Sequence, residues 1–167
     1  MKKLLGIIFL LLLLPIFNSC IYCNDCEGVG PIHDPYTPVI LDRPAFENSV
    51  QSLPSQNIIK SGKIYIKDNL MFINEVNKGF HVYNYANPEN PILIGFIQIL
   101  GATDLAVRDN IVYINQAIDL VTLEYNPSNN SILIKHRNKN VFPQKSSPNG
   151  TIANTTENQI VVDWIQQ

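Results

Sequence analysis

The chain is expected to be all-β and antiparallel, and three observations carry that expectation. First, the phrase IKDNLMFIN at residues 66–74 returns as VRDNIVYIN at 107–115, 41 residues later. Second, from Gly62 onward short apolar-polar alternations of five to seven residues are broken by turn-forming residues, which is the pattern of half-buried strands. Third, the only helical signal is brief, at Leu41–Val50, and no long 3.6-residue periodicity appears.

The N-terminus is read separately from the fold. Lys2 and Lys3 precede an uninterrupted apolar run, Leu4 to Leu14, which stops at Pro15. That run is shorter than the about 20 residues a spanning helix needs, so residues 1–19 read as a secretory signal. It ends in FNSC, and small Ser19 followed by Cys20 resembles the lipobox of bacterial lipoproteins, with Phe17 where that pattern has Leu. The resemblance implies diacylation of Cys20, cleavage before it and a mature chain anchored to a membrane by lipid. Each buried methylene of such an anchor contributes about 0.8 kcal/mol. Asp25 and Glu27 resemble the surface-export signals of Bacteroidetes lipoproteins. The expected address is therefore the bacterial cell envelope, at the outer membrane.

Cys23 and Cys26 complete the cysteine set in CIYCNDC. Zinc would need further Cys or His ligands, of which His33 alone is near, and redox chemistry would need a βαβ context. A small local disulfide, or two idle thiols, suits an oxidising compartment better. No metal or other cofactor is expected. Without the signal lysines, ten basic residues stand against fourteen acidic ones. With no Lys/Arg cluster, nucleic acid is not an expected partner.

Residues 20–57 read as a lipidated Cys, a stiff Pro-rich tether and one short helix. Pro31, Pro35, Pro38, Pro44 and Pro54 favour extended chain. Within LDRPAFENSV, Asp42 is a credible N-cap, Pro44 fits a first turn, and Phe46 and Val50 share a face that would lie on the following sheet.

Residues 58–167 are the expected β domain. Strands are read at Lys63–Lys67, Leu70–Glu75, Gly79–Tyr85, Ile92–Gln98, Asp104–Arg108, Ile111–Asn115, Leu120–Tyr125, Ser131–His136 and, last, residues 159–165. The pairs Asp68-Asn69 and Asp109-Asn110 tolerate the left-handed angles of two-residue hairpins. Such turns fix the register: Tyr65 opposite Phe72 and Ile66 opposite Met71, then Ala106 opposite Tyr113 and Val107 opposite Val112. One face of each hairpin is aliphatic (Ile64, Ile66, Met71, Ile73; Leu105, Val107, Val112, Ile114), and the other carries aromatics. At the same 41-residue offset Phe80 falls on Val121, Val82 on Leu123, Ile92 on Leu133 and Leu93 on Ile134. Two units, about 62–102 and 103–143, are therefore expected, each a four-stranded blade sandwiched between neighbours, as in β-propellers.

The runs KIYIKDNLMFINEVNKGFHVYNYANPENPILIGFI and ATDLAVRDNIVYIN resemble LVIVP-repeat proteins, with hairpin, G-hydrophobic-x-hydrophobic strand, NPENP and a further strand in order. YTPVILDRPAFENSV, NVFP and VVDWIQQ resemble N-terminal portions of Bacteroidetes envelope lipoproteins of that type. The resemblance implies a propeller-like domain facing the surface or periplasm, and carries no catalytic residues. A closed propeller needs about four blades or more, and two are written here. A capped two-blade domain, a truncated longer protein and self-association through uncovered blade faces all remain open.

Candidate chemistry is sparse. Asp68 and Asp109 are explained by turn formation. Asp104 and Asp119 begin strands, and His33, His81 and His136 are isolated in sequence. Tyr65, Phe72, Tyr83, Tyr85 and Tyr113 suit either a carbohydrate-stacking surface or a core. Asn129 and Asn154 sit in glycosylation sequons that a bacterial host would not use. The expected function is a lipid-anchored, non-enzymatic binding or protein-interaction module. The alternatives are a solute- or carbohydrate-binding lipoprotein or enzyme with a pocket between blades, or a truncated propeller without independent function. A pocket lined by Asp104, Asp119 or the tyrosines would favour the enzyme or solute binder, and a filled interface would count against it.

Overall fold

Asp-Asn turns dictate the pairing of the chain in the computed structural model, which describes residues 34–167. Strands β3 (Ser61–Lys67) and β4 (Leu70–Glu75) pair with Lys67 opposite Leu70, Ile66 opposite Met71 and Tyr65 opposite Phe72. Strands β7 (Ala102–Arg108) and β8 (Ile111–Gln116) repeat that register, with Arg108 opposite Ile111 and Ala106 opposite Tyr113. Only the first residue of each turn takes a left-handed angle: Asp68 and Asp109 both have φ 53°. The left-handed region is open to Asp because its short side chain can bond locally.

Eleven strands and one helix form three open antiparallel sheets among the described residues. Ahead of the first hairpin come β1 (Tyr36–Asp42), α1 (Arg43–Asn48) and β2 (Gln51–Leu53). After it come β5 (Gly79–Asn84) and β6 (Ile92–Gln98), and after the second hairpin β9 (Asp119–Asn126), β10 (Ser131–Asn138) and β11 (Gln159–Gln166). The first sheet has the order β2-β6-β5-β4-β3, the second β10-β9-β8-β7, and β1 pairs with β11 in a two-stranded ribbon.

Two strands fall where a tether was expected. Pro38 within β1 is compatible with an edge position, and Tyr36 to Asp42 pair along β11 from Gln166 to Gln159. Helix α1 does form, with the Asp42 side chain accepting from the Ala45 N–H at 2.9 Å. Its two apolar residues part company, however. Val50 joins the core between the two large sheets, whereas Phe46 packs with Ala117, Ile118, Ile160 and Val162 under the ribbon.

The constant 41-residue offset fails in the third strand of each unit. Three residues, 76–78, link β4 to β5, but two, 117 and 118, link β8 to β9. Asn74 therefore faces Phe80 and Phe72 faces Val82, while Asn115 faces Leu120 and Tyr113 faces Thr122. The offset here is 40, so Phe80 corresponds to Leu120 rather than Val121, and Val82 to Thr122 rather than Leu123. Further on it returns to 41, with Ile92 and Leu133 in equivalent pairs.

A one-residue shift moves every side chain of a strand to the other face, and that shift decides how the sheets pack. The first sheet turns its aromatic face inward, with Phe72, Phe80, Val82 and Ile97 buried and Tyr65 partly so. The second turns its aliphatic face inward, with Leu105, Val112, Ile114, Val121 and Leu123 buried. These residues form one continuous core, so opposite faces of the two units meet. Fully burying side chains of this size contributes about 1.5–3 kcal/mol each.

Candidate functional site

The two equivalent turns come together at one end of the sheet pair. Between them lies an open cleft of about 480 Å³. Its floor is apolar, from Leu70, Phe72, Val107, Val112 and Tyr125, and its rim is polar, from Lys67, Asp68, Asn69, Asp109, Asn110, Glu124 and Asn126. Clefts that combine an apolar floor with a few polar groups on the rim suit small ligands or single side chains of a partner. Two rim acids are partly balanced: Lys67 Nζ lies 3.2 Å from Asp68, and Lys135 Nζ lies 3.2 Å from Glu124.

Tyr125 is the buried polar group of that floor. Its ring meets Phe72 edge-on, with centroids 6.3 Å apart, and its hydroxyl donates to Asn130 Oδ1 at 3.1 Å. Burial pushes its pKa up to about 12, so the phenol stays protonated at neutral pH. No tyrosine singled out for carbohydrate stacking lines this cleft, and Tyr125, which does, was not among them. Phe72 is core, and the Tyr65 hydroxyl sits 3.4 Å from the Val107 carbonyl oxygen at the sheet interface.

Asp119 belongs to a different centre. Its carboxylate is wholly buried and accepts from Arg43 Nη1 at 2.6 Å, Arg137 Nη1 at 2.9 Å and the Asn140 N–H at 3.0 Å. Both guanidinium carbons stand 5.4 Å from the Phe46 ring centroid, a cation–π geometry. Burial alone would raise this carboxyl, but the Asn140 N–H and the two arginines outweigh it and hold the pKa below the ordinary range. The pair of arginines stitches α1 and β10 to the start of β9.

Glu75 and His81 form a second buried pair, with Oε2 to Nε2 at 3.0 Å. Glu75 also accepts from the Ile59 N–H at 2.9 Å and the Lys60 N–H at 2.6 Å. Burial opposes ionisation of Glu75, yet these hydrogen bonds together hold its pKa low. The carboxylate thus ties the segment before β3 across the outer side of the first sheet, and His81 rests against Phe96, 4.8 Å between centroids.

Lys145 reaches Asn77 Oδ1 and donates to the Gly101 carbonyl at 3.1 Å. Burial lowers its pKa while Asp163 opposes that shift. Asn77 in turn donates to Asp163 on β11, so this cluster locks the ribbon to the β4–β5 turn.

The expected candidates are thus dispersed. Asp104 lies exposed and bridges to Lys63 between β7 and β3. His136 is exposed on β10. The interface between the sheets is filled by core side chains, and neither Asp104 nor Asp119 lines the cleft. Among the described residues no group of three or more His, Cys, Asp or Glu could hold a metal ion. No helix among them is long and apolar enough to cross a membrane. Cys20, Cys23, Cys26 and His33 lie outside the described residues. The Arg43–Asp119–Arg137 and Lys145–Asn77–Asp163 groups were missed because their members lie far apart in sequence; a buried acid at a strand start with no local cation was the one available hint.

No protein-family model, curated protein or solved structure matches the chain.

Proposed function

We propose that the chain is a lipid-anchored, non-enzymatic binding module of a bacterial cell envelope, built from two propeller-like units of the LVIVP-repeat type. Cys20 carries the lipid, the residues after it act as a tether, and the outer membrane is the anchoring surface. The observation that supports a binding role is the cleft between the Asp68-Asn69 and Asp109-Asn110 turns, with its apolar floor and polar rim. Asp68 and Glu124 are balanced by Lys67 and Lys135, which leaves Asp109 in excess at the mouth, so a neutral hydroxylated group or a cationic side chain is the favoured occupant over an anion.

Two measurements test the reading. Radiolabelled palmitate should enter the wild-type chain and not Cys20→Ala; equal labelling of both removes the anchor. For the cleft, the probe is an array of basic peptides and neutral oligosaccharides. A ligand captured by the wild type and lost in Asn69→Trp/Asn110→Trp, with the melting temperature retained, supports the site. Capture that is indifferent to filling the mouth places binding elsewhere.

A further inference from the structure

The outer face of the first sheet is the aliphatic face of its hairpin; Met71, His81 and Phe96 are buried on it, and its β3 side lies open. Ile64 is 60 % and Ile66 49 % exposed, whereas Leu105, at the register position equivalent to Ile64, is 7 % exposed. What buries Leu105, Val112 and Ile114 is another sheet face, the aromatic side of the first sheet. The same chemical surface is thus core in one unit and exposed along β3 in the other.

The exposed strand residues of this face are uncharged. Beside Ile64 and Ile66 stand the half-buried Ile73, Tyr83 and Leu93, with Met71 buried among them, as the pairings Ile66–Met71–Tyr83 and Ile64–Ile73–His81 require. The titratable groups beneath it, Glu75 and His81, are buried and bonded to each other. Lys63 and Lys67 alternate to the opposite side, where they bridge to Asp104 and Asp68. The segment that crosses one end adds Ile58 and Ile59, the latter 81 % exposed, and then the exposed Lys60. An apolar patch of this kind, with a single lysine at its end, marks an interaction surface.

We infer that this face packs against the same face of a second copy of the chain, back to back about a twofold axis. The interface already present within the chain is the template: apolar sheet face on apolar sheet face. Head-to-tail stacking is disfavoured, because the free outer face of the second sheet carries Arg108, Glu124 and His136 on the cross-strand rows Arg108–Ile111–Glu124 and Ala106–Tyr113–Thr122–His136. Docking isoleucines there would desolvate Arg108, His136 and the Lys135–Glu124 pair with no compensating bonds from the incoming face. The isologous arrangement sets uncharged strand rows against each other, with Lys60 at the end of the patch, and closes on itself. It requires neither the lipid anchor nor the cleft.

Sedimentation velocity of the full chain, in detergent matched to the buffer density, tests it. The wild type should sediment as two chains at micromolar concentration. Ile64→Lys/Ile66→Lys should raise the dimer dissociation constant at least tenfold, and Ile64→Val/Ile66→Val should not. Both positions are exposed, so unchanged circular dichroism and melting temperature show that the fold survives the lysines. Tyr113→Lys, on the outer face of the second sheet, should leave the dimer intact. A monomeric wild type, a dimer indifferent to Ile64→Lys/Ile66→Lys, or a dimer lost in Tyr113→Lys overturns the proposal. So does a monomer whose flotation with phosphatidylethanolamine–phosphatidylglycerol vesicles needs Ile64 and Ile66, since the face would then be a lipid contact.

Discussion

Asn130 Oδ1 lies 2.2 Å from where a Cβ on Gly95 would stand, so a carboxamide from the second sheet occupies the side-chain space of the first. From there Asn130 Nδ2 donates to the Leu53 carbonyl at 2.8 Å, and the Asn130 carbonyl accepts from the Ser52 hydroxyl. The Tyr125 hydroxyl completes the set. The β9–β10 turn is thereby latched to the edge of the other sheet, beside the cleft.

Gly95→Ala should therefore destabilise the fold by about 1–3 kcal/mol, the usual cost of overpacking. Asn130→Gly removes the obstructing side chain and suits the φ of 48° at that position, but loses hydrogen bonds worth about 0.5–1.5 kcal/mol each. Because one change makes room for the other, the double variant should be more stable than the sum of the two losses allows. Urea denaturation of the four proteins measures the coupling, and strict additivity would show that the two residues do not share that space.

Asp119 should dominate the acid sensitivity of the fold. Its carboxyl is held below the ordinary value of 3.8, so between the folded and unfolded values the unfolded chain binds the extra proton. Stability is then fully present above about pH 4 and falls as pH drops toward the folded value. Asp119→Asn leaves Arg43 and Arg137 facing each other without their counter-ion and should cost about 3–5 kcal/mol at neutral pH. The residual stability should depend less steeply on pH than in the wild type. An unchanged slope would assign the acid limb to Glu75, whose pKa is also lowered.

How far the sequence spoke for this fold depended on the range of the interaction. Two-residue turns are local, so Asp68-Asn69 and Asp109-Asn110 fixed both hairpin registers, and Asp42 fixed the helix start. The strand at Tyr36–Asp42 was hidden because its partner, β11, lies more than a hundred residues away, and its prolines read as tether. The 41-residue offset misled at Val121 and Leu123, because one residue missing between β8 and β9 is invisible to apolar alternation yet reverses the face. Asp68 and Asp109 could be read as turn residues; that their turns share a cleft with Tyr125 follows only from stacking the sheets.

Tyr125 gives the alkaline counterpart. A phenol whose pKa is raised to about 12 when folded, against about 10 when unfolded, favours the folded state while protonated. That stability is complete below about pH 10 and disappears as pH rises toward 12. Tyr125→Phe should cost about 0.5–1.5 kcal/mol at neutral pH through the lost bond to Asn130, and its stability should be flatter above pH 10. Tyrosinate absorbance should show one late-ionising phenol in the wild type that is missing from the variant. If the late phenol persists, another tyrosine is the protected one.

Asp68 and Asp109 separate turn-making from binding. At φ 53° glycine is free of Cβ strain, so Asp68→Gly and Asp109→Gly should change stability by less than about 1 kcal/mol. Asp68→Val and Asp109→Val force a β-branched side chain into the left-handed region and should each cost about 1–2 kcal/mol. Melting temperatures of the four variants test the backbone role, and equal losses for Gly and Val would mean the carboxylate itself stabilises the turn. The Gly variants then become the clean probes of the cleft, since they remove charge without moving the hairpin. If cleft ligands bind Asp68→Gly/Asp109→Gly as tightly as the wild type, the carboxylates act only on the backbone, and recognition falls to the amides and the floor. If affinity drops while stability holds, the same two residues turn the chain and meet the ligand.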